Sequence, residues 1–150
     1  MLAAAAAGCT PQADGGTSVS EQSAAGLEQI PLTVQSRGGT HRFTVEVART
    51  PEQQAQGLMH RQSLAPDRGM LFPYAPPQPV AFWMKNTLIP LDMIFIASDG
   101  RIVGIAANTT PLSTTPVSVG RPSRYVLEVA GGYAARAGIA TGDRIAFDLG

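Results

Sequence analysis

The sequence predicts a single, mainly β domain: an antiparallel sandwich or barrel of about eight short strands, with one α-helix in its N-terminal half. Three observations predict this. Sixteen glycines and twelve prolines fall between short apolar runs, the spacing of a turn-rich β chain rather than a helical bundle. The runs either alternate with period two or stay apolar for about a strand's length. Only one stretch carries a full set of helix-start signals.

The folded part is expected to begin near Ile30 and to extend to Gly150, after a leader and linker over residues 1–29. Pro31 to Ser36 and Thr40 to Ala48 read as two strands joined at Arg37-Gly38-Gly39. In the second, Phe43, Val45 and Val47 alternate with Thr44 and Glu46, the pattern of a half-buried strand. Thr50 opens the helix: it is a good N-cap, Pro51 fits the first helical position, and Gln53 completes a capping box. The helix is expected to reach His60, with Ala55, Leu58 and Met59 turned inward. Gly69 to Phe72 is a short strand closed by Pro73, and Pro76-Pro77-Gln78-Pro79 reads as a loop unable to join a ladder. Val80 to Met84 and Leu91 to Ala97 follow as strands. Asp99-Gly100 is a hairpin turn, and Arg101 to Ala106 returns antiparallel. Asn108 to Ser123 is mostly loop, Tyr125 to Val129 a strand, Tyr133 to Ala137 a single helical turn, and Arg144 to Leu149 the last strand. The methionines 59, 70, 84 and 93 lie in apolar runs and read as core filler.

Charge and cysteine usage narrow the function. The formal net charge is zero and the ten arginines are scattered, so no basic surface is laid out for nucleic acid. The single cysteine forbids an intrachain disulfide, and the two histidines, His41 and His60, lack metal-ligand spacing; no metal or cofactor is expected. No segment approaches the ~20 apolar residues of a membrane span. The apolar start, ending Ala6-Ala7-Gly8-Cys9, resembles the lipobox of bacterial lipoproteins, which implies lipidation at Cys9. Thr10 to Gln29, rich in Gly, Ser, Ala, Gln and Thr, then reads as a flexible tether. On this reading the domain is exported, periplasmic or membrane-attached, and touches the membrane only through its anchor. The alternative is an alanine-rich leader in which Cys9 has no role.

The only tryptophan and the only lysine fall two residues apart in Phe82-Trp83-Met84-Lys85-Asn86-Thr87. A chain that otherwise uses arginine places one compact, rotatable ammonium beside its largest aromatic. Asp92 follows across a stiff link at Pro90, and Arg61, Glu128 and Asp143 stand where strands or turns can bring them close. The candidate ligand site is therefore Trp83, Lys85, Asn86, Thr87, Asp92, Arg61, Glu128 and Asp143. Each has a structural alternative. Asp92 can cap a turn or pair with Lys85; Asn86 and Thr87 are ordinary turn residues; Trp83 can be core. Glu128 and Arg61 can form an ion pair that ties helix to sheet.

These segments resemble the bacterial and archaeal domain of unknown function 192. The resemblance rests on Gly57-Leu58-Met59-His60-Arg61, Gly69 to Phe72, the long Phe82 to Phe95 motif, Asp99-Gly100, Val126-Leu127-Glu128, Gly131-Gly132 and Gly138 to Asp143. It covers residues 30 to 150, with mild departures at Met93 and Ala97. It implies a β-sandwich of jelly-roll type in proteins that are often exported, and no established activity.

Three functions follow as expectations. The first is a binding module whose polar cleft takes an anionic or sugar-like small molecule or a peptide carboxylate. The second is an enzyme using Lys85 as nucleophile or proton donor, with Asp92 or Glu128 as acid or base. The third is an envelope component that binds another protein through a sheet face. Exposure of Lys85 discriminates the first two, because a lysine nucleophile works from an enclosed, desolvated site.

Overall fold

Alternation decides the first hairpin. In β1 (Gln29–Ser36) residues Ile30, Leu32 and Val34 point into the core, and in β2 (Gly39–Val47) Phe43, Val45 and Val47 do the same. The two strands pair antiparallel, Ile30 opposite Val45 and Leu32 opposite Phe43, so both apolar rows share one face. The structure, a computed structural model, describes residues 23–150. Cys9 and most of the proposed leader lie outside the described residues. Packing begins at Leu27, ahead of the expected Ile30, through a turn in which the Ser23 side chain accepts from the Leu27 N–H.

Thr50 caps α1 (Pro51–Gln56) as its sequence predicts, accepting from the Gln53 N–H while the Gln53 side chain accepts from the Arg49 and Thr50 N–H groups. The helix is shorter than expected. Gly57, at φ 47°, ends it, and the chain runs on through turns to His60. Leu58 still enters the core, whereas Ala55 stays exposed.

The remaining strands are β3 (Arg68–Pro79), β4 (Leu91–Ile96), β5 (Ile102–Ala106), β6 (Pro122–Ala130) and β7 (Arg144–Phe147), with a short α2 (Tyr133–Ala137) before the last. They form one seven-stranded sheet in the order β5-β4-β6-β3-β2-β1-β7. The sheet curls into a half-barrel, and its edges meet where Ile102 donates to Asp143 and Ile145 donates to Gly100, both at 2.8 Å. Gly100 sits at φ 85°, and a Cβ there would lie 2.6 Å from the Ile145 carbonyl, so glycine serves both the turn and the closure.

Four expectations are corrected. The sheet is not all antiparallel: β2 and β3 run parallel, because the α1 crossover carries the chain back before β3 begins. It is one curled sheet of seven strands, not the stacked pair of a jelly-roll. Pro76 to Pro79 belongs to β3, rejoining β6 at Gln78 and Pro79 after a register break. Past Leu71 that side of β3 no longer faces β2, so the prolines interrupt no second ladder. Val80 to Met84 forms no strand. It is held to an irregular segment by a reciprocal pair of bonds between Phe82 and Val117 and by the Met84 N–H donating to the Ser113 carbonyl.

Both faces of the sheet are covered. Ile94, Ile96, Leu127, Val129 and Leu71 join the β1–β2 core on one face with Ala134 of α2. Met93, Phe95, Val126, Met70 and Phe72 point the other way, under Leu58 and the 80–90 segment. This explains why all six residues of β4 are buried. Met70, Met84 and Met93 are core, as expected.

Candidate functional site

The second face carries the chemistry. Pairing sets Met93, Glu128 and Met70 side by side across β4, β6 and β3, and Met70 in turn lies beside Glu46 of β2. One row of one face thus holds two buried carboxylates. Their surroundings differ. Glu46 receives Arg61 in a forked pair, at 2.5 and 3.1 Å, the bidentate geometry that makes such pairs strong. Among the described residues no group donates to Glu128 and no cation pairs with it, although it is only 4 % exposed between its two methionines. Burial pushes its carboxyl up to about 8.

Glu128 opens into a cavity of about 350 Å³. The walls come from three elements. Phe72 and Tyr74 extend along β3, Phe82, Trp83 and Thr87 come from the 80–90 segment, and Gln54 with Met59 comes from α1 and its following turn. The aromatics brace one another: Phe82 meets Phe72 edge-on at 5.2 Å and Tyr74 at 6.3 Å. Gln54 is fixed by donating to the Ala48 and Pro73 carbonyls. Burial, followed by the charge of Glu128, pushes the Tyr74 hydroxyl up to about 12. Among the lining residues Glu128 and Tyr74 are the titratable ones, and none is basic.

The predicted site residues divide. Trp83, Thr87 and Glu128 come together at this cavity. Lys85 does not line it. It stands exposed on the turn with Nζ 5.0 Å from the Trp83 ring centre, a surface cation–π contact. Asn86, exposed at φ 55°, completes the turn, and its carbonyl accepts from the His60 N–H. Thr87 donates to the Lys85 carbonyl.

Asp92 is fully buried on the opposite side of β4. Its carboxylate accepts from the N–H groups of Asn108 (2.7 Å), Gly132 (2.9 Å) and Ala134 (2.8 Å). It therefore fastens the start of α2 to the sheet, and it does not face Lys85. Asp143 holds its own turn, accepting from the Ala140 N–H. Arg61 ties the helix turn to the sheet, but through Glu46 and not Glu128. A larger groove of about 640 Å³ runs past Arg61 and Arg68. Its buried carboxylate, Glu46, is already neutralised, so the smaller cavity is the better candidate.

The residues expected at the site did not include Tyr74, Phe72, Phe82 or Gln54. Period two from Met70 through Phe72 to Tyr74 was the available signal for the aromatics. It puts them on the Glu128 face.

The comparisons agree with the motifs. The model of the family described as DUF192, Uncharacterized ACR, matches residues 32–147. The chain belongs to this family. Among solved structures it is similar to a protein of unknown function from Novosphingobium aromaticivorans DSM 12444, with 43% identity and a TM-score of 0.83 over 93% of this chain and 99% of that one. It is also similar to a Sinorhizobium meliloti 1021 protein described as a "putative transcription regulator", with 44% identity and a TM-score of 0.78 over 81% of this chain and 95% of that one. No curated protein matches the chain.

Proposed function

We propose that this DUF192 domain is a small-molecule binding module, displayed outside the cytoplasm on a lipid anchor at Cys9. Its ligand occupies the cavity between Trp83 and Glu128. The observation that carries the reading is a braced aromatic wall facing a buried carboxyl to which no group among the described residues donates. Pockets with a mostly apolar lining and one placed polar group are the usual form of small-molecule sites. The polar cleft expected around Lys85 and Asp92 gives way to this one, since Lys85 faces solvent and Asp92 is saturated by three N–H groups. The same two facts narrow the enzymatic alternative to Glu128, whose raised carboxyl suits proton transfer near neutrality. A binding role accounts for that carboxyl with no second reacting group.

A thermal-shift screen of a chemically diverse library on the wild type and Trp83→Ala tests the pocket. Trp83 is 49 % exposed, so its truncation leaves the core in place. Compounds should raise the wild-type midpoint and lose the effect in the variant; no compound acting on the wild type alone ends the binding-module reading. Membrane fractionation of the wild type and Cys9→Ser tests the anchor, and equal partitioning of both removes it.

A further inference from the structure

Resting on that pocket reading, we infer that the ligand is an organic cation: an ammonium group in an apolar shell, seated on the aromatic wall with its charge against Glu128. The argument starts from the paired row of carboxylates. Glu46 and Glu128 are buried on the same face, one methionine apart across the sheet. The fold supplies Glu46 with a guanidinium and, among the described residues, supplies Glu128 with none. A buried carboxylate without a counter-ion costs several kcal/mol, and hydrocarbon or an amide at position 128 would avoid that cost. The carboxyl instead borders the cavity, whose lining includes no basic side chain. Once Glu128 ionises an anionic ligand meets repulsion there, whereas a cation supplies the charge the fold leaves out and draws the proton off the carboxyl.

The walls select the rest of the ligand. Phe72, Tyr74, Phe82 and Trp83 present rings, and ring faces attract ammonium groups that carry methyl or methylene substituents. The Trp83 ring already draws an ammonium, that of Lys85, on the protein surface. Gln54 and Thr87 add neutral polar edges and no charge.

The groups facing Glu128 are few. Tyr74 from β3 titrates near 12 and stays neutral through the working range. α1 contributes Gln54 and Gln56, and the 80–90 segment contributes Thr87, none of them charged. A permanent cation should therefore bind more tightly as Glu128 ionises, roughly 50- to 100-fold from pH 6 to pH 9 for a carboxyl near 8.

The test uses choline and benzyltrimethylammonium as probes, with 3,3-dimethylbutan-1-ol as the neutral isostere of choline, titrated calorimetrically into the described domain's full chain. Both cations should bind, tighten with pH, and exceed the isostere at least tenfold at pH 9. Glu128→Gln should lose that advantage and the pH dependence. Trp83→Ala, read in parallel, should weaken both cations and keeps the test valid if the Gln variant misfolds. Cation affinity that is flat with pH, unchanged in Glu128→Gln, or matched by the isostere overturns the inference while leaving a working pocket. Failure of both cations also overturns it. Failure of the whole library in the thermal-shift screen would remove the pocket reading itself.

Discussion

Glu128→Gln should stabilise this domain, and more so at higher pH. In the folded protein the carboxyl titrates near 8 against its usual 4.5. The folded state thus holds the proton more tightly than the unfolded chain. The stability this gives is complete below pH 4.5 and is lost as pH rises through 8. At ~1.36 kcal/mol per pH unit, the gap between the two values comes to about 5 kcal/mol. Glutamine has nearly the same shape and does not titrate, so it removes the dependence while keeping the packing between Met70 and Met93. Urea unfolding of both proteins, followed by circular dichroism from pH 4 to pH 9, isolates the effect, since every other titrating group cancels in the difference. The variant should gain on the wild type by about 4–5 kcal/mol across that range. A difference that stays flat with pH would refute the reasoning, because it would mean that Glu128 is not desolvated in the folded state.

Other outcomes follow from the same geometry. Asp92→Ala leaves three backbone N–H groups without their acceptor and should cost about 3–5 kcal/mol, read as a drop in urea midpoint. Arg61→Met strands the buried Glu46 and should cost about 3 kcal/mol, and adding Glu46→Gln should recover most of the loss in a double-mutant cycle. Lys85→Met should leave the thermal midpoint unchanged and ligand binding intact, since Lys85 is exposed and outside the cavity; loss of binding in that variant would return the lysine to the site.

Local signals were legible where local chemistry decides the structure. The Thr50 capping box, the Phe43-Val45-Val47 alternation and the Asp99-Gly100 turn each form as their residues dictate. The lone tryptophan–lysine pair led to the segment that holds Trp83 and Thr87, and Glu128 was a candidate as a strand residue that the fold can bring close. What the sequence could not supply was non-local. The parallel pairing of β2 with β3 depends on where the α1 crossover lands. The prolines of Pro76 to Pro79 join a strand only because β2 has already left that edge. The choice of Glu46 over Glu128 as partner for Arg61 is a matter of position across the sheet, and it is this choice that leaves Glu128 without a cation among the described residues. Composition drew attention to the lone lysine; its neighbour Trp83 is the member of the pair that lines the cavity.

Crystallographic fragment screening tests the central claim most directly. Bound fragments should gather in the cavity between Trp83 and Glu128, stacked on Phe82 or Tyr74, with amine-bearing members directed at the Glu128 oxygens. Fragments confined to the groove along Arg61 and Arg68, with the Glu128 cavity empty throughout, would contradict the account.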